Sequence, residues 1–238
     1  AWRVLVDSPE QATWLNAEEK ARLRQQLDAE QRSALKARHG SVRDLFGDAK
    51  FWALSLVYIL MVAGTYAMAF WTPTLIRGWG VSDLLDIGIY ATLPQLCAIA
   101  GVLLLSRSSD RHRERRWHFS SGALMAVCGL AIMVLAQGQL GASLLGLCLA
   151  MLGIASVPPV FFALVSEYLP RPSVAVGIAL VSSIGNLGGA VIPSLTSALN
   201  TASGGTTYSL YLVMSLYLLA SVIVLRVARS PVPAYQSA

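Results

Sequence analysis

Charge is scarce in this chain. Asp, Glu, Lys and Arg make up 13% of its 238 residues, about half the share of an ordinary globular domain. A soluble protein of this length needs more than that to cover its surface, so the scarcity argues against a soluble enzyme or binding module. Cysteine is scarce too. Cys97, Cys128 and Cys148 are odd in number, lack CxxC spacing and lie inside apolar stretches; no disulfide framework and no zinc site is expected, only small hydrophobes in helix packing. His39, His112 and His118 are the only histidines, and HExxH is absent. With no Ser–His pair and no paired intramembrane acids to assemble, the chain is not expected to be an enzyme or to hold a metal or cofactor. No signal peptide is visible at its start.

Apolar residues fill the gap. They make up 55% of the chain, and the mean hydropathy is +0.58. From Phe51 onward they gather into six runs, 51–76, 84–106, 118–136, 140–169, 173–199 and 208–228. Each is close to or above the roughly 20 residues a helix needs to cross a bilayer. The breaks, RGWGVSD, SRSSDRHRERRW, QGQ, LPRPS and NTASGGTT, carry turn or charge signals. In lipid only helices and closed barrels satisfy the backbone, and these runs are too long and unbroken for barrel strands. The expected fold is an all-α membrane protein: a polar segment over 1–50, six transmembrane helices over 51–230, and a tail over 231–238.

Residues 1–50 hold nine of the 18 Lys and Arg and eight of the 13 Asp and Glu. Within them, NAEEKARLRQQLDAEQRSALKARHG predicts a surface-lying amphipathic helix. Asn16 is its N-cap, Glu18 and Glu19 fill the first turn, Gly40 follows the last, and Leu23, Leu27 and Leu35 make only a thin apolar stripe. The basic residues also set orientation. Segments 1–50, 107–117, 170–172 and the C-terminal end fall on one side and hold 17 of the 18 Lys and Arg, with Arg77 opposite. The positive-inside rule then puts both ends in the cytoplasm. A net charge of +5 could suggest nucleic acid, but its placement between spans makes the lipid bilayer the expected partner.

SRSSDRHRERRWH at 106–118 is on this reading a cytoplasmic turn between the second and third spans. Asp110 falls just past the expected helix end, where it can pair with Arg111 or cap a neighbouring helix through its dipole. The alternative is that the loop only anchors itself in water and at anionic headgroups, which suits Arg113, Arg115 and Arg116. Glu167, inside the fourth span near its cytoplasmic end, is costly unless paired, so an ion pair with the 107–116 loop is expected, serving gating rather than proton carriage. In the fifth span, Ser173 with Gly177 and Gly185 with Gly189 form small-xxx-small pairs that let helices approach. Asn186 on that face either hydrogen-bonds across helices or lines a cavity.

The same stretches carry a family resemblance. An Asp-Arg pair followed by a basic cluster between the second and third helices of a six-helix unit resembles the signature loop of the major facilitator superfamily, with Ser106 where that loop usually has Gly. SDRHRERRWH is similar to the loop of its anion:cation symporter branch. DSPEQATWLNAEEKARLRQQLDAE resembles that branch's central linker, FWTPTLIRGWG (70–80) the end of its seventh helix, and GIALVSSIGNLGGAVIP (177–193) its eleventh. The resemblance implies helices 7–12 of a twelve-helix transporter. An N-terminal six-helix half would then be the partner, a small carboxylate the substrate, and a coupling ion, H+ by implication, would move in symport by alternating access in a bacterial inner membrane. A standalone six-helix protein, acting as a regulatory partner or homodimeric carrier, is the alternative.

By resemblance, the first, second, fourth and fifth spans border the central cavity. That makes Tyr66, Gln95, Phe162, Ser182 and Asn186 the candidate substrate contacts, alongside Tyr58, Tyr90, Phe161 and Ser183, and makes Asp110, Arg111 and Glu167 the candidate cytoplasmic latch. Two departures stand out. Phe162 replaces a frequent Trp, and Ser182-Ser183-Ile184-Gly185-Asn186-Leu187 replaces a frequent Asn-Ser-x-Gly-Asn-Leu. Losing an indole N–H and an amide favours a less hydroxylated or aromatic carboxylate over a sugar acid. No basic residue lies deep in these spans, so the group neutralising a substrate carboxylate has to come from elsewhere.

Overall fold

The computed structural model describes residue 12 and residues 14–36, 45–136, 139–169 and 173–227. The tail expected over 231–238 lies outside the described residues. Within them are seven helices: α1 (Ala17–Lys36), α2 (Ala49–Gly78), α3 (Leu84–His112), α4 (Arg116–Leu135), α5 (Leu140–Tyr168), α6 (Val174–Ser203) and α7 (Thr207–Val227). Helices α2 to α7 are all long and apolar enough to cross a membrane. The chain is an all-α, multi-pass membrane protein. Helix α1 opens on a capping box, in which Glu19 N–H donates to Asn16 Oδ1 at 2.8 Å and Asn16 N–H to Glu19 Oε2 at 3.0 Å.

Apart from α4 and α5, consecutive spans touch little. The most extensive packing is α4 on α5, α2 on α6 and α3 on α5, with α7 set between α4 and α2. The spatial order is therefore α3, α5, α4, α7, α2, α6. Helices α4 and α5 pair antiparallel through the same spacing of small residues, Gly122, Ala126 and Gly129 on one and Gly146, Ala150 and Gly153 on the other. A Cβ at Gly153 would stand 2.4 Å from both the Gly122 carbonyl and the Ala126 nitrogen, and one at Gly129 only 2.3 Å from the Ala150 nitrogen. Here backbone lies on backbone, the close approach that small residues allow in membranes.

Helices α2 and α6 run parallel instead. Tyr58 lies against Gly185, Ile59 against Gly188 and Tyr66 against Gly189, and further along Trp71 Nε1 donates to Thr196 Oγ1 at 2.9 Å. Helix α7 fastens to the same α2 through Tyr217. Its buried hydroxyl lies 3.2 Å from Thr65 Oγ1 and donates to the Met61 carbonyl at 3.3 Å.

The ends of the bundle differ in charge. Lys50, Arg107, Arg111, Arg113, Arg115, Arg116 and Arg226 fall at one end, while Arg77, Asp83 and Asp86 fall at the other. At the basic end Asp48 caps α2, accepting from Lys50 N–H at 2.8 Å. It also accepts from the Tyr168 hydroxyl at the end of α5. Helix α3 overruns its apolar stretch: the hydropathy falls after Leu105, yet the helix continues to His112. Asp110 therefore lies in the last turn of α3, not past its end. Hydropathy marks where lipid stops, whereas a helix protruding into water keeps its backbone bonds and ends at its cap. That cap is Arg113, at φ 51°, the only described non-glycine residue with positive φ.

Candidate functional site

Two places gather the residues singled out in the sequence. The first is the turn between α3 and α4, whose hub is Arg115. Its side chain is only 16% exposed, against 69% for Asp110 and 54% for Glu167. Its Nη1 donates to Asp110 Oδ1 at 2.5 Å and to Ser109 Oγ at 3.0 Å, and its Nε donates to Glu167 Oε1 at 3.0 Å. A guanidinium fork can serve two carboxylates at once where an ammonium cannot. Burial pulls the Arg115 pKa down, but hydrogen bonds to Asp110 and Glu167 outweigh it, and the net direction is up. A cation with a raised pKa stays charged at lower pH and loses its proton only when pH rises through that pKa, far above neutrality.

Neighbouring groups extend this knot. Ser109 Oγ donates to the Glu114 carbonyl at 3.2 Å, and His118 Nδ1 lies 2.6 Å from the same oxygen. A carbonyl only accepts, so the Nδ1 carries a proton, and Nε2 lies 3.0 Å from Ser108 Oγ. Asp110 and Glu167 thus meet through Arg115. Arg111 does not join them; it is exposed and makes no ion pair among the described residues.

The second place is where α2, α5 and α6 converge on Tyr58. Its ring stacks on Phe161 with centroids 5.6 Å apart and meets Phe162 edge-on at 5.0 Å, and its Cδ1 occupies the space a Cβ at Gly185 would need. Phe161 is fully buried; Tyr58, Phe162 and Ser182 are half-buried, and Tyr66 and Asn186 are exposed. The polar groups of α6 turn inward on their own helix: Asn186 Nδ2 donates to the Ser182 carbonyl and Ser183 Oγ to the Ala179 carbonyl, both at 2.8 Å. Gln95 is not brought to this cluster. It is exposed on α3, which packs mainly on α5. Tyr90 packs with Ile76, Val81 and Ile87 at the acidic end. A surface depression of about 800 Å³ lies elsewhere, along Pro193, Ser194, Ser197 and Thr201. One helix alone lines it, so it encloses nothing. The Asp, Glu, Lys, Arg and His side chains of the described spans all sit at helix ends, so the convergence carries no formal charge.

The Major Facilitator Superfamily sequence model matches residues 1–138 and 80–238. The chain belongs to the major facilitator superfamily. Among the superfamily proteins it is similar to is the putative metabolite transport protein NicT of Pseudomonas putida, 35% identical over 91% of this chain and 49% of that protein. A putative tartrate transporter of Agrobacterium vitis is 35% identical over 95% of this chain and 50% of its own length. A quinolone resistance transporter of Acinetobacter baumannii is 29% identical over 87% and 48%. The chain thus spans about half the length of these relatives. In fold it is similar to the crystal structure of the Escherichia coli fucose:proton symporter FucP, with a TM-score of 0.68 over 79% of this chain and 45% of that one at 17% identity.

Sequence reasoning missed Arg115 as hub, because five arginines within ten residues are indistinguishable until α5 is packed beside them. It also missed the α4–α5 contact, although that signal, two copies of G-xxx-A-xx-G, was available in the residues.

Proposed function

We propose that this chain is the C-terminal six-helix half of a secondary transporter in a bacterial inner membrane, with both ends cytoplasmic and residues 1–50 linking it to an N-terminal half of six helices. The pair moves a small organic anion by alternating access, rocking about a site near the midplane. The observation that carries this reading is the convergence of α2, α5 and α6 on Tyr58. There an aromatic wall of Tyr58 and Phe162 stands beside the exposed Tyr66 and Asn186.

The substrate is a carboxylate with few hydroxyls. In support, Ser183 and Asn186 spend donors on their own backbone, and aromatic faces recognise planar apolar groups better than polyols. Its charge is met from the other half, since this one has no cation away from its ends. Coupling is to H+, and the proton is carried outside these spans, because Glu167 is engaged with Arg115. Asp110, Arg115 and Glu167 form the latch that closes the cytoplasmic side, with Arg111 beside it.

The test is uptake of labelled carboxylates into vesicles from cells producing the whole transporter, with and without an imposed pH gradient. Accumulation of an aromatic or sparsely hydroxylated acid that collapses with the gradient is expected. Uptake indifferent to the gradient would overturn the coupling, and no uptake of any organic anion would overturn the function.

A further inference from the structure

The α3–α4 turn divides its cations unequally. Arg115 takes both Asp110 and Glu167, and Arg116 lies 3.9 Å from Glu114. Arg107, Arg111 and Arg113 are exposed and have no ion pair among the described residues. The turn's acids are engaged, Asp110 and Glu167 by Arg115 and Glu114 by Arg116, which leaves three guanidiniums on the surface without an ion pair among the described residues. Their depth is fixed, because α3 and α4 both cross the bilayer and the turn lies at their shared end. Beside them Trp117 is 53% exposed, and the Arg116 guanidinium sits 5.6 Å from its ring centroid. A half-exposed indole on a span's first turn belongs at headgroup level.

Arg113 adds an independent observation. It holds the left-handed conformation at the C-cap of α3, φ 51° and ψ 28°, where glycine fits freely and any residue with a Cβ is disfavoured. Backbone strain of this kind points to a use for the side chain. The strained residue projects one more cation into a surface already rich in them.

We infer that Arg107, Arg111 and Arg113, with Arg116 and Trp117 at their edge, form a site for an anionic phospholipid of the leaflet facing this turn. The guanidinium fork matches phosphate geometry, and the glycerol and acyl region lies against Trp117. The site rests on geometry at the membrane surface and stands whether or not the substrate reading does.

The experiment reconstitutes the full chain into vesicles of equal parts phosphatidylglycerol and phosphatidylcholine, with bromine on the acyl chains of one lipid at a time. Fluorescence quenching in the protein is compared with that in Trp117→Phe, which isolates the Trp117 component. Phosphatidylglycerol should associate at Trp117 more strongly than phosphatidylcholine. That preference should fall about fivefold for each arginine removed in Arg111→Gln and Arg113→Gly. Arg113→Gly relieves the strained backbone, so unfolding is no explanation for its loss. Equal quenching by the two lipids would overturn the site. So would an unchanged preference in the double variant, or full displacement by inorganic phosphate, which would make it a site for a free anion.

Discussion

Helices α4 on α5 and α2 on α6 are both glycine interfaces, and they differ in what the glycines touch. Gly129, Gly146 and Gly153 face backbone atoms of the opposite helix at 2.3 to 2.7 Å from a notional Cβ. On α6 only Gly188 meets main chain, 2.4 Å from the Ile59 carbonyl, while Gly185 and Gly189 face the rings of Tyr58 and Tyr66. A main-chain neighbour cannot step aside without moving its helix, whereas a ring can rotate. The first interface is rigid by construction and buries the core residues Ala126, Leu130, Leu147 and Ala150. The second is fixed at Gly188 but can adjust to a bound molecule around Gly185 and Gly189, with Gly185 buried and Asn186 and Leu187 exposed. Small-residue spacing alone does not tell a clamp from a hinge; the atom on the other side does.

Substitutions can break or sharpen that contrast. The largest effect is expected for Gly153→Leu, which drives a side chain into the α4 backbone and should destabilise the bundle by about 3 kcal/mol, read as a lowered unfolding midpoint in detergent. Gly185→Ala should cost about 1 kcal/mol, because the Tyr58 ring can move, yet lower uptake by the whole transporter about tenfold. If Gly185→Ala instead unfolds the protein as Gly153→Leu does, the two interfaces are alike and the contrast fails.

Arg115→Lys should leave insertion intact but slow transport, since an ammonium cannot hold Asp110 and Glu167 together. Wild-type uptake by that variant would remove the knot from the mechanism. The smallest effects belong to single hydrogen bonds at the α2 face. Tyr217→Phe and Trp71→Phe should each lower stability by about 1 kcal/mol, and a double variant with additive losses would show that α7 and α6 hold α2 independently.

Much of the fold was legible in the residues. Six spans follow from hydropathy, and the helix after Asn16 follows from its cap, because both signals are local. Neighbour relations were legible only where a small-residue pattern repeats, as on α4 and α5; nothing in an apolar run says that α2 lies beside α6 rather than α3. The candidate site divides along the same line. Tyr66, Phe162, Ser182 and Asn186 share the α2–α5–α6 convergence, while Gln95 is exposed on α3, a helix outside it. Glu167 could be expected to seek a cation, since a carboxylate at a span's end needs one, but the choice of Arg115 depends on how the α3–α4 turn packs beside α5.

The parallel pairing of α2 with α6 also sets an order on biogenesis. About 100 residues separate the two helices, so at synthesis rates of roughly 5–20 residues per second α2 enters the membrane some 5 to 20 seconds before its main neighbour exists. During that interval Trp71 has no Thr196 to receive its N–H, and Tyr58 and Tyr66 have no glycine face to cover them. The insertion machinery or lipid must shelter this surface. A vulnerable species on the way to the finished bundle is therefore one already closed at α4–α5 and still open along α2.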